Sequence, residues 1–236
     1  MDNTHVAPIV PAAVLYDLGR GNEFRPPANH QWGEAACASA TSGEVKTGCV
    51  GAGTGAMSGG IKGGVGTASM VLDTGPTVAA LTAVNSLGSS IDPASGHFWE
   101  NRLEIGEEFS GKASQPVILP VPSQGEPAKN TTLAVVATDA ILTKSQAKKV
   151  AMMAQDGMAR AIRPAHTMFD GDIVFCLATG KRPLEETTGF FAAPAAQAIN
   201  DIGHAAADCL ARAIIWGIID AESSYGLTAY RDLKKR

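Results

Sequence analysis

The distribution of apolar and polar positions changes sharply near residue 130. Residues 133–138, LAVVAT, form an unbroken apolar run of strand length. Such a run reads as a strand buried on both faces. Over residues 143–162 the period becomes helical: Ala147, Val150, Ala154, Met158 and Ala161 recur three and four apart. Thr143 or Ser145 is placed to cap the start of that helix. A second apolar strand is expected over 172–179, DIVFCLAT. A long helix is expected over 194–222, with Ile199, Ile202, Ala206, Cys209, Ala213 and Ile214 on one face. The simplest packing for this alternation is two central strands sandwiched by helices.

Upstream the pattern is weaker. Residues 13–18, AVLYDL, and 68–73, ASMVLD, have strand length and flanking turn residues. Between them lies a glycine run over 48–66, GCVGAGTGAMSGGIKGGVG. Each interior glycine costs a helix about 1 kcal/mol relative to alanine. The run is therefore a loop, or strands to which other backbones come close. Residues 92–130 are rich in proline, glycine, serine and charge, and Pro116, Pro120, Pro122 and Pro127 exclude a long helix. Residues 116–130, PVILPVPSQGEPAKN, read as an exposed connector, where chain cutting is tolerated. The chain thus divides into residues 1–130, including the connector 92–130, and residues 131–236.

Composition narrows the function classes. A chain of 236 residues, 45% hydrophobic and 18% charged, is globular and long enough for a sizeable core. The net charge is −4 and no basic stripe occurs, which argues against nucleic acid as a partner. The basic end, Lys234, Lys235 and Arg236, reads as a solvated tail. The four cysteines, Cys37, Cys49, Cys176 and Cys209, form no Cys-x-x-Cys pair, so a zinc site is not expected. Cys176 and Cys209 read as small core residues. The first ten residues lack the pattern of a secretory signal, and no apolar run is expected to reach bilayer-spanning length. A reducing, cytoplasmic setting without membrane contact follows as the expectation.

Several motifs fail on context. A phosphate loop needs lysine directly after glycine, whereas Lys62 follows Ile61. Gly51, Gly53 and Ala56, with Asp73 further on, resemble a dinucleotide fingerprint. That fingerprint must open a helix, and the glycines that follow forbid one. Asp201, His204 and Asp208 share a helical face opposite the apolar one, which reads as a solvated face rather than a metal site. His97 and His166 lie near loop boundaries. His166 is either a base or a hydrogen-bonding residue.

Two features remain. Asn130-Thr131-Thr132 fits a glycosylation sequon, which has no use without a secretory route. It also fits a self-cleavage point. A threonine hydroxyl is a weak nucleophile without an adjoining base. Cutting the Asn130–Thr131 bond would supply an α-amino group, whose pKa of about 7.7–8.0 suits that role near neutral pH. Asp170 and Asp172 flank Gly171 at the mouth of the second strand. They can bind the ammonium and tune the hydroxyl, or form an ordinary Asp-Gly turn; spacing alone favours the turn.

Four stretches in order, HVAPIVPAAVLYDLG, VGAGTGAMSGGIKGGVGTAS, NTTLAVVATDA and AIRPAHTMFDGDIVFCLATG, span nearly the whole chain. Together they resemble the self-processing L-aminopeptidase D-amidase/esterase family. That family includes β-peptidyl aminopeptidases and endo-type nylon-oligomer hydrolases. The resemblance implies an α/β fold, an αββα sandwich of N-terminal-nucleophile type, cut into two subunits that stay associated. It places the cleavage at Asn130 and the nucleophile at Thr131. It gives Asp170 and Asp172 an orienting role, Lys62 an electrostatic one and Asn85 that of oxyanion donor. Tyr16 either matches a substrate or oxyanion position or is a core tyrosine with a bonded hydroxyl. The threonine and paired aspartates look more like the nylon-oligomer hydrolase branch. Family members carry a further region before the first stretch, so this chain is expected to be short of sandwich elements.

The resemblance implies hydrolysis of a small peptide or amide, without metal or organic cofactor, by a homo-oligomer of cleaved protomers. The rival expectations are an uncut, non-catalytic homologue that serves in assembly, and an acyltransferase of related fold.

Overall fold

The computed structural model describes residues 10–20, 24, 29–120, 130–186 and 194–236. Most of the expected cleavage connector, with Pro122 and Pro127, lies outside the described residues.

Along the chain come α1 (His30–Ala38), β1 (Met57–Ser58), β2 (Ile61–Lys62), β3 (Val65–Val71), β4 (Thr77–Ala83) and α2 (Ser110–Ala113). Then follow β5 (Leu133–Ala140), α3 (Lys144–Ala161), β6 (Ile173–Arg182) and α4 (Ala196–Ile219). Strands β3, β4, β5 and β6 form one four-stranded sheet in that order. β3–β4 and β4–β5 are antiparallel, and β5–β6 is parallel, with α3 making the crossover. β4 and β5 pair across the Asn130–Thr131 bond, so both sides of that bond share one sheet.

Register explains the core. Gly66 lies beside Thr82, Thr82 beside Ala134, and Ala134 beside Val174. Ala68, Ala80, Val136 and Cys176 form the next row. These positions share the face on which α4 packs. The row is made of small residues, so the helix comes very close: a Cβ on Gly66 would lie 2.0 Å from the Ala213 carbonyl oxygen. On α4, Ile202, Ala206, Cys209, Ala213 and Ile214 are buried, which matches the expected apolar face. Thr143 and Gln146 complete a reciprocal capping box at the start of α3. Gly157 of α3 allows close approach to α4, since a Cβ there would lie 2.0 Å from the Ala207 carbonyl oxygen.

Several expectations are corrected. Residues 133–138 are not buried on both faces: Ala134, Val136 and Thr138 are buried, while Leu133, Val135 and Ala137 are only half-buried. Among the described residues, both long helices lie on one side of a four-stranded sheet, instead of flanking two strands. The described residues thus supply one helix layer and one sheet layer. The other sheet face borders a depression of about 420 Å³ lined by Pro11, Leu81, Leu133, Val135 and Phe175. Residues 13–18 form no strand among the described residues. The strand expected over 68–73 starts earlier, at Val65, inside the glycine run, and stops at Val71. β4 and α1 were not anticipated.

Residues 92–120 are more than an exposed connector, because Phe98, Phe109 and Val117 are buried. Glu108 ties this region to α4, accepting from Arg212 at 2.6 and 3.0 Å and from Trp216 Nε1 at 3.1 Å. Burial alone would raise the Glu108 carboxyl, but the bonds from Arg212 and Trp216 outweigh it and hold it below its ordinary pKa. The membrane expectation also needs revision. α4 is long and apolar enough to cross a bilayer by length and composition, although 83% of its apolar window is buried within the fold.

Candidate active site

Asn130 and Thr131 sit where the β5–β6 ladder runs out. Asn130 forms a parallel bridge with Asp170. Its N–H donates to the Phe169 carbonyl at 2.9 Å, and its own carbonyl accepts from the Gly171 N–H at 3.0 Å. The ladder resumes with Ile173 N–H donating to the Thr132 carbonyl at 3.1 Å. On the other side, Thr131 N–H donates to the Asn85 carbonyl at 2.7 Å. The expected nucleophile is therefore held by backbone on both flanks. Thr131 is 7% exposed, and its Oγ1 donates to the Asn130 carbonyl oxygen at 2.5 Å.

The two aspartates do meet this site, but through main-chain groups. Asp172 Oδ1 accepts from the Thr132 N–H at 2.8 Å. Its Oδ2 accepts from the His166 N–H at 3.1 Å and from the His166 ring Nδ1 at 2.9 Å. Asp170 Oδ1 accepts from the Leu87 N–H at 3.1 Å, and its Oδ2 from the Thr167 N–H at 3.2 Å and Thr167 Oγ1 at 2.5 Å. None of these bonds reaches the Thr131 hydroxyl. His166 takes the hydrogen-bonding role, in a left-handed conformation with φ of 55°. Gln155, His166, Asp170 and Asp172 also border a depression of about 330 Å³.

Asn85 is fully buried. Its Oδ1 accepts from the Met57 N–H at 3.1 Å and from Arg20 Nη1, and its Nδ2 donates to the Tyr16 carbonyl at 3.0 Å. Tyr16 therefore touches Asn85 through its backbone, while its ring packs 6.3 Å from that of Phe24. Lys62 is fully buried, and its Nζ donates to the carbonyls of Gly53, Ala56 and Gly63 at 2.8, 3.0 and 2.7 Å. The glycine run thus wraps an ammonium in backbone oxygens. Burial pushes the Lys62 pKa below its ordinary value, with Cys49 opposing. Lys62 makes no described hydrogen bond to Thr131.

One residue of the site was not anticipated. Arg20 Nη2 donates to Asn130 Oδ1 at 2.8 Å, and Nη1 donates to Asn85 Oδ1 and, at 3.2 Å, to the Gly55 carbonyl. One guanidinium thereby links residues 55, 85 and 130. Burial lowers its pKa, with Asp17 and Tyr16 opposing. A lone arginine after a glycine gives no motif, and its partners lie up to 110 residues away. Of the other candidates, Asp208 pairs with Arg160 at 2.7 Å and with His204 at 3.4 Å, and Asp201 accepts from Gln197 at 2.8 Å. That is a polar helix face. Burial pushes the thiols of Cys176 and Cys209 up to about 11, as suits core cysteines.

This fold resembles known structures. An L-aminopeptidase D-Ala-esterase/amidase from Ochrobactrum anthropi, described as a variant of the Ntn hydrolase fold, superposes with a TM-score of 0.61 at 25% identity. The match covers 89% of this chain and 54% of that one. A β-aminopeptidase from Burkholderia sp. gives 0.56 at 27% identity, covering 83% and 53%. The fold is thus α/β of the N-terminal-nucleophile hydrolase class. Within that class the chain belongs to peptidase family S58, which its sequence matches over residues 1–231. An uncharacterised aminopeptidase of Mycobacterium leprae is 44% identical over 238 residues, covering 95% of this chain and 65% of the relative. The β-peptidyl aminopeptidase of Sphingosinicella xenopeptidilytica is 35% identical over 132 residues, covering 53% of this chain and 31% of the relative. The chain therefore spans about two thirds of the mycobacterial relative and about half of the solved chains.

Proposed function

We propose that this chain carries the nucleophile of a self-processing amide hydrolase of aminopeptidase type, matured by cutting the Asn130–Thr131 bond. The observation that carries this reading is the position of Thr131 Oγ1, 2.5 Å from the oxygen of the carbonyl it would attack. Attack on the Asn130 carbonyl carbon breaks the C–N bond and leaves Asn130 as an ester on Thr131 Oγ, which water hydrolyses. The freed α-amine then serves as the base for turnover, with a pKa of about 7.7–8.0. The same hydroxyl attacks a substrate amide and forms an acyl-enzyme.

Asp170 and Asp172 position the nucleophile by fixing the backbone around it. Asn85 Nδ2 carries two hydrogens and gives one to Tyr16; the second is the donor for a substrate oxyanion. Lys62 contributes a buried positive charge. The substrate class is a small peptide or amide, and D-amino-acid amides, β-peptides and nylon oligomers belong to the same chemical range. The proposal includes a homo-oligomer of cut protomers in the cytoplasm, with no nucleic acid or membrane partner.

A denaturing gel and intact mass test it. Two fragments, the second starting at Thr131, are expected, and Thr131→Ala should abolish cutting and turnover together. A Thr131→Ala protein that still hydrolyses amides would refute the nucleophile. One observation favours a second reading: the described residues supply only one αβ half of a sandwich. A chain that stays whole on long incubation would support an uncut, non-catalytic protein.

A further inference from the structure

We infer that the Gly171 backbone N–H is the oxyanion donor of the self-cleavage step, and that residue 171 is glycine because the nucleophilic hydroxyl occupies the adjoining space. The inference rests on the self-processing reading above.

The Gly171 N–H and Thr131 Oγ1 converge on one atom, the Asn130 carbonyl oxygen, at 3.0 and 2.5 Å. The Gly171 bond extends the β5–β6 pairing beyond the strands, since Asn130 bridges Asp170 in parallel register. The rungs on either side, Asn130 N–H to Phe169 and Ile173 N–H to Thr132, prevent the donor from turning away. Asp170 and Asp172 add side-chain ties on both sides of the glycine, to Leu87 N–H and Thr132 N–H. The donor is thus aimed before reaction, which is what makes an oxyanion contact effective.

As Thr131 Oγ bonds to the Asn130 carbon, the carbonyl π pair moves onto oxygen. The Gly171 bond then becomes charge-assisted and roughly doubles in strength. The carbonyl re-forms as the C–N bond breaks, and the departing Thr131 nitrogen takes up the proton lost by the hydroxyl. Water then splits the ester, leaving a carboxylate on Asn130 and restoring the hydroxyl. Asn85 is not the donor for this step. Its Nδ2 donates to the Tyr16 carbonyl, and none of its described side-chain bonds reaches the Asn130 carbonyl, which the Gly171 N–H already meets. Cutting and turnover therefore use different donors.

The same geometry limits the side chain at 171. A Cβ there would lie 3.0 Å from Thr131 Oγ1 and 3.6 Å from its Cγ2. The φ of Gly171 is outside the left-handed range, so crowding is what restricts this position.

The test uses the full chain made by cell-free translation with glycolic acid at position 171, which replaces the N–H by oxygen and adds no bulk. Cutting is followed by gel and mass, and folding by circular dichroism and thermal melting. The expected result is a native-like melt with cutting slowed about 100-fold. Cutting at the wild-type rate would overturn the donor assignment alone. A wild-type chain that never cuts would overturn the self-processing reading and this inference with it. Gly171→Ala keeps the N–H and should slow cutting by crowding; adding Thr131→Ser, which removes Cγ2, should restore part of the rate. An alanine variant that cuts at the wild-type rate would overturn the steric half.

Discussion

The Asn130–Thr131 bond has two walls, and they are built differently. One is the mouth of the β5–β6 pairing, where main-chain bonds at 2.9–3.1 Å run from Asn130 to Ile173 and two aspartates tie further N–H groups. The other is formed by residues 16–20 with Asn85. There residues 16–20 form no strand among the described residues and are joined to the site by side-chain bonds from Arg20 and Asn85. The first wall is held by many short-range backbone terms that no single side-chain change removes. The second has one main-chain bond, Thr131 N–H to the Asn85 carbonyl, and otherwise depends on one guanidinium and one carboxamide. Side-chain changes on the first wall should therefore appear mainly as lost stability, and those on the second mainly as slower cutting.

The largest effect should come from Asp172→Ala, which tests whether the aspartates support backbone. It leaves the buried Thr132 N–H without its acceptor and frees His166. A buried orphaned donor costs about 1–3 kcal/mol, so a loss at the upper end of that range is expected in urea denaturation. Asp172→Asn, which keeps an acceptor, should lose less. If both are as stable as wild type, the carboxylate acts on chemistry and the contrast between the walls fails. Arg20→Ala should come next. Hydrogen bonds to a charged group contribute about 1.5–3 kcal/mol at most, and water can replace part of this at a half-buried site. Cutting slowed about tenfold is expected, with a smaller change in melting temperature than for Asp172→Ala. The smallest effect should be Thr132→Val. Thr132 is fully buried and its Oγ1 has no hydrogen-bond partner in the structure. Replacing a buried hydroxyl that makes no bond should not lower stability, because it relieves a desolvation cost of about 1 kcal/mol, the low end of the range for such groups. A large loss there would reveal a role for the hydroxyl.

The second half of the chain was legible because its signals are local. The apolar runs of β5 and β6, the three-and-four spacing of α3 and α4, and the Thr143 cap each lie within a few residues. β4 escaped notice because TVAALTA is short, small and mostly alanine and threonine; its strand character comes from pairing with β3 and β5. Residues 13–18 failed in the opposite way, with a strand-like pattern and no strand formed among the described residues. Among site residues, Asn130, Thr131, Asp170 and Asp172 were legible as candidates, and they do come together. Their contacts were not, because spacing cannot say that Asp170 will accept from Leu87, 83 residues away. Arg20 was invisible for the same reason.

The sequence by itself determined the two long helices, the two parallel strands, the placing of threonine at the mouth of one and the glycine run that no long helix can accept. Those follow from side-chain period and backbone freedom, which are properties of neighbours along the chain. Tertiary structure decided that both long helices cover one sheet face, that Lys62 is enclosed by backbone carbonyls of the glycine run, and that the aspartates grip main chain. It also decided that Gly171 and Thr131 meet on one oxygen. Those depend on which distant backbone groups are left to be hydrogen-bonded once the sheet has formed, and only the folded chain settles that.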